Sequence, residues 1–330
     1  MTPPNPNWPP GNKPTKEKFK LSVEQRAMIE RAIEIGPKRL DMSDPYFDKL
    51  IPKNDRDRHL REVRRNEEMF ASDWEKNGVE GEDEMSLLSE GLEAALTARI
   101  NEGYLGEEWK AQRTTKYDDQ KKRVDVYIEN VQNPEPVGLQ VDITFSEDIK
   151  NLSGKLTDIK DLLLDGGRFV GLEYYKPIGT SDTPPAVRPS IKVPRVLVGT
   201  TRERALKTVE RFAKGEVVQD DAVIGLFMIN QIKIQLEHFV SYCTETGNAL
   251  LRASHVTDRG KGRQILDSVP VYQRALDIQN DLLQKKLQQL GIANLPKERI
   301  EVLLETDIFS SNLKKALKAV LPITQNKMAA

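Results

Sequence analysis

The chain has 330 residues, which is enough for one large domain or two ordinary domains with a sizeable buried core. Its 50 Lys and Arg residues balance 51 Asp and Glu residues to a formal net charge of −1, so a surface that binds an anion has to be local. One cysteine, Cys243, excludes an internal disulfide and a cysteine-built zinc site, and the three dispersed histidines show no metal-ligand spacing.

Residues 1–20, "MTPPNPNWPPGNKPTKEKFK", are rich in proline and polar side chains and predict a flexible tail. They lack the apolar core that a secretory signal requires. The longest strongly apolar run, residues 223–229, is far shorter than the roughly 20 residues that span a bilayer. We therefore expect a soluble, cytoplasmic protein with no membrane partner.

Residues 21–84 predict a helical N-terminal region, whose first helix has a plausible N-cap in Ser22. The second helical stretch contains "RDRHLREVRR", with five arginines and two acids. A solvated helix face with acid–base pairs at helical spacing is the favoured interpretation of this segment. Phosphate contact by Arg61, Arg64 and Arg65 is the alternative.

Residues 85–215 predict a mixed α/β core. Its first helix has Leu88, Leu92, Leu96 and Ile100 at intervals of four residues, the pattern of an amphipathic helix. Strand candidates follow in "WKAQRTTKY", in the two arms of "RVDVYIENVQNPEPVGLQVDITFS", in "RFVGLEYY" and in "VPRVLVG", with helical stretches "SEDIKNLSGKLTDIKDLLLDGG" and "TRERALKTVERFAKG". This order predicts a mixed central sheet flanked by helices.

Residues 216–330 predict a helical C-terminal region built from four helical stretches. Their amphipathic pattern is expected from core packing, and it would also suit a homodimer or scaffold interface. The segment "TDRGKGRQ" predicts a basic loop, for which solvation is favoured. Phosphate contact by Arg259 and Lys261 is the alternative.

The second and third predicted strands are the two arms of a hairpin, and each arm carries an acid. Folding the arms about a turn between Asn133 and Pro134 places Asp125 opposite Asp142 and pairs apolar residues on the other face, although a slip of two residues would preserve both faces. Opposed like charges about 5 Å apart are destabilising unless a cation lies between them. Mg²⁺ takes one or two carboxylates and completes its shell with water and phosphate, so the pair predicts a Mg²⁺ site in which Mn²⁺ can substitute. Two solvent-screened acids are the alternative.

The element order around this hairpin, from about Met85 to Gly215, resembles the PD-(D/E)XK (restriction-endonuclease-like) nuclease superfamily. The stretch "TTKYDDQKKRVDVYIE" also resembles uncharacterised bacterial members with Tyr-Asp-Asp before the second strand. The resemblance implies a restriction-endonuclease-like core with helical additions, in which Asp125 and Asp142 match the two metal-holding acids. It further implies a Mg²⁺-dependent nuclease that hydrolyses DNA in preference to RNA.

One position departs from the pattern of that superfamily. Thr144 stands where a lysine is expected two residues after Asp142. Some members supply the lysine from the following helix, which here offers Lys155 or Lys150, and Lys155 is preferred because Lys150 falls in the first turn. A second alignment places Gln140 at the acid position. That alignment favours a catalytically inactive relative that binds nucleic acid or a protein. In the first alignment, Gln140 is a candidate for substrate contact.

Many members also carry a glutamate on the helix before the sheet. Glu93 lies just off the apolar stripe of that helix and is the candidate third metal ligand, with Glu90 in reserve. An acid on an exposed helix face is the commoner explanation for either residue. Tyr117, Asp118 and Asp119 predict a turn cluster that caps backbone groups, unless they approach the metal.

Overall fold

A computed structural model describes residues 19–77, 82–132, 138–145, 148–165, 171–178, 193–216 and 219–323. In chain order its elements are α1 (Val23–Ile35), a short 3₁₀ helix (Pro45–Lys49), α2 (Lys53–Asn77), α3 (Glu82–Asn101), β1 (Trp109–Arg113), α4 (Lys116–Lys122), β2 (Val126–Asn130), β3 (Gly138–Thr144), α5 (Ile149–Leu164), β4 (Arg195–Gly199), α6 (Arg202–Lys214), α7 (Gln219–Leu251), α8 (Val256–Gln289), α9 (Lys297–Glu305) and α10 (Ile308–Val320). The predicted mixed sheet flanked by helices is confirmed. No helix within the described ranges is long and apolar enough to cross a membrane.

The sheet has four strands in the order β1-β2-β3-β4. The pairs β1–β2 and β2–β3 are antiparallel, whereas β3 and β4 are parallel and need the crossover that α5 provides. Val126 faces Val141 and Ile128 faces Leu139, which is the register predicted from the sequence. The two-residue slip is therefore excluded.

Both faces of the central strands are covered by protein. The apolar face, with Val126, Ile128 and Val141, belongs to a large buried cluster that also contains residues of α1, α3, α5, α7, α8 and α10. Two solvent-screened acids were the alternative to a metal site on the polar face, but every residue of β3 is buried. The acids on that face therefore lie where solvent no longer screens them, and their charges interact more strongly than at an open surface.

Side chains of α7 cover the outer edge of β4. The Gln235 amide accepts a hydrogen bond from Leu197 N at 2.8 Å and donates one to Leu197 O at 2.7 Å. Gln231 does the same for Gly199, at 2.8 and 2.9 Å. These two glutamines supply the partners that a fifth strand would provide, so the sheet ends here without unpaired buried backbone groups.

A helix stands where the sequence predicted a strand end and a turn. Helix α4 lies between β1 and β2, and Thr115 caps its N-terminus by accepting a hydrogen bond from Asp118 N at 3.2 Å. Asp118 and Asp119 lie in its first turn and Lys121 and Lys122 in its last, which suits the helix dipole at both ends. The prediction of a turn at residues 117–119 was wrong. The capping residue and the charged residues of this segment are typical of a helix, but the segment lacks the apolar stripe by which a helix is recognised in a sequence.

The predicted strand over residues 168–175 was also wrong in its described part, residues 171–175, which form no strand; residues 168–170 lie outside the described residues. The N–H groups of Glu173 and Tyr174 donate instead to the Asp118 carboxylate, at 2.7 and 3.0 Å. A side chain on α4 thus provides the hydrogen bonds that a neighbouring strand would otherwise provide.

The loop predicted around Arg259 is part of α8, so that prediction was wrong as well. Gly262 suggested a loop, but in the structure it allows two helices to approach closely. A Cβ atom on Gly262 would lie 2.8 Å from the carbonyl oxygen of Gly247 on α7. The glycine is therefore compatible with a helix whose packing requires the absence of a side chain.

Candidate functional site

A polar cleft of about 520 Å³ opens beside the hairpin, between the sheet and helices α2, α3, α4 and α5. Its lining contains five carboxylates and three cationic side chains. These are Glu67, Glu90, Glu93, Asp119 and Asp125, and Arg39, Lys116 and Lys155. When all of them are ionised the lining is net negative, and a polyanion would not enter it favourably without added cations.

Of the two hairpin acids, Asp125 lines this cleft, and Asp142 is buried beside it. Asp125 directly precedes β2, and the register of the hairpin carries it opposite Asp142 on β3. The Asp125 side chain accepts a hydrogen bond from Ile143 N at 2.6 Å, and its backbone N–H donates to Val141 O at 3.0 Å. Asp125 is 8% exposed and Asp142 is 2% exposed. The predicted opposition of two acids is therefore present, in a buried setting.

Asp142 is held by two cationic side chains. Lys155, on α5, donates a hydrogen bond to Asp142 Oδ1, and Arg195 Nη2, at the start of β4, lies 3.2 Å from Oδ2. Lys150 lies in the first turn of α5 and is exposed. The structure thus places the preferred lysine of the following helix on the candidate metal acid. Burial alone would lower the pKa of Lys155, but Asp142 and Asp125 outweigh it and raise that pKa, so this ammonium stays charged.

Glu93 reaches the same cleft from α3 and is bound by two arginines. Its Oε2 accepts hydrogen bonds from Arg39 and from Arg113 Nη2, the latter at 3.3 Å. Arg39 Nη1 also lies 3.1 Å from Asp119 Oδ2. Glu90, the reserve candidate, contacts Arg113 Nη2 at 3.3 Å and is half exposed. The helix glutamate is thus near the hairpin acids and already carries cationic partners.

Three acids of the cleft, Asp125, Glu93 and Asp119, have raised pKa values and resist ionisation. Burial, followed by the charges of Asp142 and Asp119, raises the pKa of Asp125 well above its ordinary value. Burial and Asp125 raise the pKa of Glu93 to about 7, against the opposing effect of its two arginines. Burial also raises the pKa of Asp119. A bound cation would relieve this repulsion, and its binding would release protons from the cluster.

Asp125 and Asp142 are two carboxylates, the number that Mg²⁺ commonly takes from a protein, but both oxygens of Asp142 already have cationic partners. Within the described ranges, no group of three or more His, Cys, Asp or Glu side chains is arranged to hold a metal ion. Mg²⁺ in proteins is usually bound through one or two carboxylates, with water and substrate phosphate as the other ligands. Asp125 and Asp142 supply this number of oxygen donors. A closed cage with Glu93 as third ligand is not preformed, because the arginines hold Glu93 Oε2.

Gln140 and Thr144 share the polar face of β3 with Asp142. Gln140 faces Tyr127 across the hairpin and is fully buried, outside the cleft lining. The backbone oxygen of Thr144 accepts a hydrogen bond from Thr200 N at 3.1 Å. Its side chain carries no charge, so Lys155 is the lysine that the structure offers to this part of the site.

The five basic residues predicted as candidates for phosphate contact lie on exposed helix faces. Arg61, Arg64 and Arg65 lie on α2, and Arg259 and Lys261 lie on α8. The cleft lining, as far as the structure describes it, includes none of them. Their role in nucleic-acid binding stays a prediction.

Sequence reasoning missed several charged residues of the site, among them Glu67 and Lys116 of the cleft lining. No local pattern singles out Arg39 or Arg113. Arg195 had a detectable signal, since it is the one charged residue in the apolar strand "VPRVLVG". Asp119 was recognised only as part of a turn cluster. The structure separates that cluster, with Asp118 binding backbone N–H groups and Asp119 lining the cleft.

No protein-family model, curated protein or solved structure matches this chain. The resemblance to PD-(D/E)XK nucleases therefore rests on the order of the elements and on the residues of the cleft alone.

Proposed function

We propose that the chain is a Mg²⁺-dependent nuclease with a restriction-endonuclease-like core, acting on DNA in preference to RNA. One observation carries the proposal. Asp125, directly before β2, lies close to Asp142 on β3 beside a polar cleft, and the Lys155 ammonium contacts Asp142. This combines two hard oxygen donors with a charged lysine, which are the groups that metal-assisted phosphodiester hydrolysis requires.

In the proposed reaction the side chains of the site bind the metal ion, orient the attacking water and stabilise the charge that develops on the phosphate. Asp125 and Asp142 hold the metal ion, which, when bound, would polarise a non-bridging phosphate oxygen and lower the pKa of a water ligand. Because its pKa is raised, Lys155 remains protonated at neutral pH and cannot serve as the general base. Its ammonium instead donates hydrogen bonds that align the attacking water and stabilise the negative charge that develops on the phosphate.

A catalytically inactive nuclease-like domain that binds nucleic acid or a protein is the second candidate. It is favoured by the state of Asp142, since both of its carboxylate oxygens already carry cationic partners, Lys155 and Arg195. In that case Lys155 is a structural counter-ion and Thr144 marks the lost catalytic lysine. DNA as the partner and a homodimer built on the late helices are predictions under either function.

Incubation of the purified protein with linear, circular, single-stranded and branched DNA, and with RNA, in Mg²⁺ or Mn²⁺ tests the proposal. Cleavage is expected on at least one DNA substrate, and it should be lost in Asp142→Asn. Asp277→Asn is a matched control, because Asp277 lies on α8, outside the cleft, and accepts a hydrogen bond from the exposed Gln273. Equal cleavage by wild type and Asp142→Asn would rule out this site as the catalytic centre.

Calorimetric titration with Mn²⁺ separates the two candidates. The nuclease should bind the ion at the hairpin and lose that binding in Asp125→Ala, with protons released on binding because the pKa of Asp125 is raised. Nucleic-acid binding without metal binding or cleavage would establish the inactive module instead.

A further inference from the structure

Arg39 joins carboxylates from two separate elements inside the cleft. It belongs to the segment between α1 and the 3₁₀ helix, and its side chain is 14% exposed. One end of the guanidinium donates to Glu93 on α3, and Nη1 lies 3.1 Å from Asp119 Oδ2 on α4. Asp125 lies close enough to interact with the same two acids, but its charge repels them. The positive charge of Arg39 therefore connects the helix glutamate with the acid of α4.

The backbone on both sides of Arg39 is fixed. Gly36 packs so closely on α3 that a Cβ atom there would lie 2.8 Å from Ala94 Cβ. Leu40 N donates a hydrogen bond to Arg113 O, at the end of β1, at 3.1 Å. The guanidinium therefore reaches the acids from a backbone whose position is set, so little conformational freedom is lost when its hydrogen bonds form.

An arginine in this position binds the same groups that a divalent cation would bind. A guanidinium between two carboxylates neutralises both of them. Arg39 makes a charge-assisted hydrogen bond to Glu93, which is among the strong ones in proteins, and an ion pair with Asp119. Arg39 and Arg113 share one oxygen of Glu93, Oε2, and would compete with a metal ion for that oxygen. The positive charge of Arg39 also repels a second cation at this short range.

We propose that Arg39 is a positioning residue that competes with the divalent cation for the acids of the cleft. In the metal-free protein it holds Glu93 and Asp119 together, and it yields one or both of them when the ion binds at Asp125 and Asp142. Arg39 thereby lowers the affinity of the site for metal. This inference rests on the metal site of the proposed function.

Mn²⁺ titration of wild type, Arg39→Gln and Arg39→Lys tests the competition. The titration is run at about pH 8.5, so that protons compete little with the ion for the carboxylates. Arg39→Gln should bind Mn²⁺ roughly tenfold more tightly than wild type, because one positive charge is removed and the Glu93 and Asp119 oxygens lose a competing donor. Arg39→Lys should fall between the two, since a single ammonium cannot bridge both acids with the paired geometry of a guanidinium.

Arg26→Gln is the matched control. Arg26 lies on α1 and pairs with Glu84 at 3.4 Å, with about half of its side chain exposed, and it does not line the cleft. The substitution removes the same charge by the same exchange of side chains, so it should leave the Mn²⁺ affinity unchanged. Circular dichroism and the midpoint of thermal unfolding establish that each variant is folded. If Arg39→Gln does not fold, the Mn²⁺ affinity of Arg39→Lys is compared with that of wild type instead.

The possible results separate this inference from the proposed function. Binding by wild type with an equal or weaker affinity in folded Arg39→Gln overturns the role of Arg39 and leaves the metal site standing. Binding by Arg39→Gln alone supports the competition directly. The absence of binding in both proteins overturns the competition together with the proposed metal site.

Discussion

Asp142 has two cationic partners whose surroundings differ. The Lys155 side chain is one-third exposed and lines the cleft, whereas the Arg195 side chain is 6% exposed and lies within the sheet. Only the lysine can therefore reach a substrate without a rearrangement of the core. Arg195 is placed to hold the Asp142 carboxylate in position from within the sheet.

This difference predicts that Lys155→Ala abolishes DNA cleavage while the protein stays folded, because Arg195 still neutralises Asp142. Lys150→Ala should retain wild-type cleavage, since Lys150 is exposed in the first turn of α5. The rate of cleavage and the thermal midpoint are measured for both variants. Activity that survives in Lys155→Ala and disappears in Lys150→Ala would reverse the assignment.

His59 is a buried titratable residue outside the cleft. Its ring stacks on Tyr117 with centroids 3.9 Å apart, and its Nδ1 lies 3.0 Å from Tyr174 Oη. Burial lowers the pKa of His59 below its ordinary value, and the charge of Arg58 contributes in the same direction. The folded protein thus favours the neutral ring and binds a proton less readily than the unfolded chain.

The lowered pKa of His59 makes the stability of the fold depend on pH. Stabilisation by neutral His59 is complete above its unfolded pKa of about 6.5 and is lost as the pH falls through the lowered folded pKa. His59→Gln does not titrate, so the variant should lose less free energy of unfolding than wild type between about pH 7 and about pH 5. Urea unfolding of both proteins at the two pH values measures this difference. An identical loss in the two proteins would exclude His59 as a source of acid sensitivity.

At the scale of the elements, a helix start or a strand pairing was predicted correctly where all the residues that determine it lie within one short segment. Ser22 forms the capping box with Gln25, through hydrogen bonds of 3.1 and 3.0 Å. The hairpin register followed from two faces that agreed on one pairing. The strand prediction failed for residues 171–175 because Asp118, about 55 positions earlier in the chain, accepts hydrogen bonds from the backbone of Glu173 and Tyr174. Alternation alone could not reveal this.

The hydrogen bonds between Gln235 and the outer edge of β4 predict how one substitution changes the free energy of unfolding. Gln235→Leu should lower the free energy of unfolding by roughly 1–3 kcal/mol for each of the two Leu197 backbone groups that loses its partner in the core. Gln273→Leu, at an exposed position on α8, is the control and should change stability by no more than about 0.5 kcal/mol. Denaturant unfolding gives both values. Equal effects of the two substitutions would show that the glutamine cover of the edge contributes little.

The candidate site is a property of the whole molecule. Arg39 lies 54 positions from Glu93, and Arg195 lies 53 positions from Asp142. The opposition of Asp125 and Asp142 could be predicted because both belong to one hairpin. The arginines could not, because their place depends on how α1, α3 and β4 pack around a common core. Sequence reasoning therefore found the acids of the site and missed most of the cations around them.

The same core links the helical C-terminal region to the sheet. The ring of Phe309 on α10 packs against Gly199 at the end of β4, α10 packs along α5, and the glutamines of α7 complete the edge of the sheet. A chain ending at residue 216 would expose this apolar surface together with an unpaired strand edge. Such surfaces drive aggregation and leave too little buried area for a stable fold.

We therefore expect that a chain of residues 19–216 lacks a cooperative thermal transition, binds a hydrophobic dye and associates at micromolar concentration. A chain of residues 19–323, which retains every contact described above, should unfold in a single cooperative transition. Near-ultraviolet circular dichroism and light scattering distinguish the two chains. A sharp transition and a fixed near-ultraviolet spectrum in the shorter chain would show that the sheet and the N-terminal helices form an independent folding unit, and that the C-terminal helices cover a surface that is already stable without them.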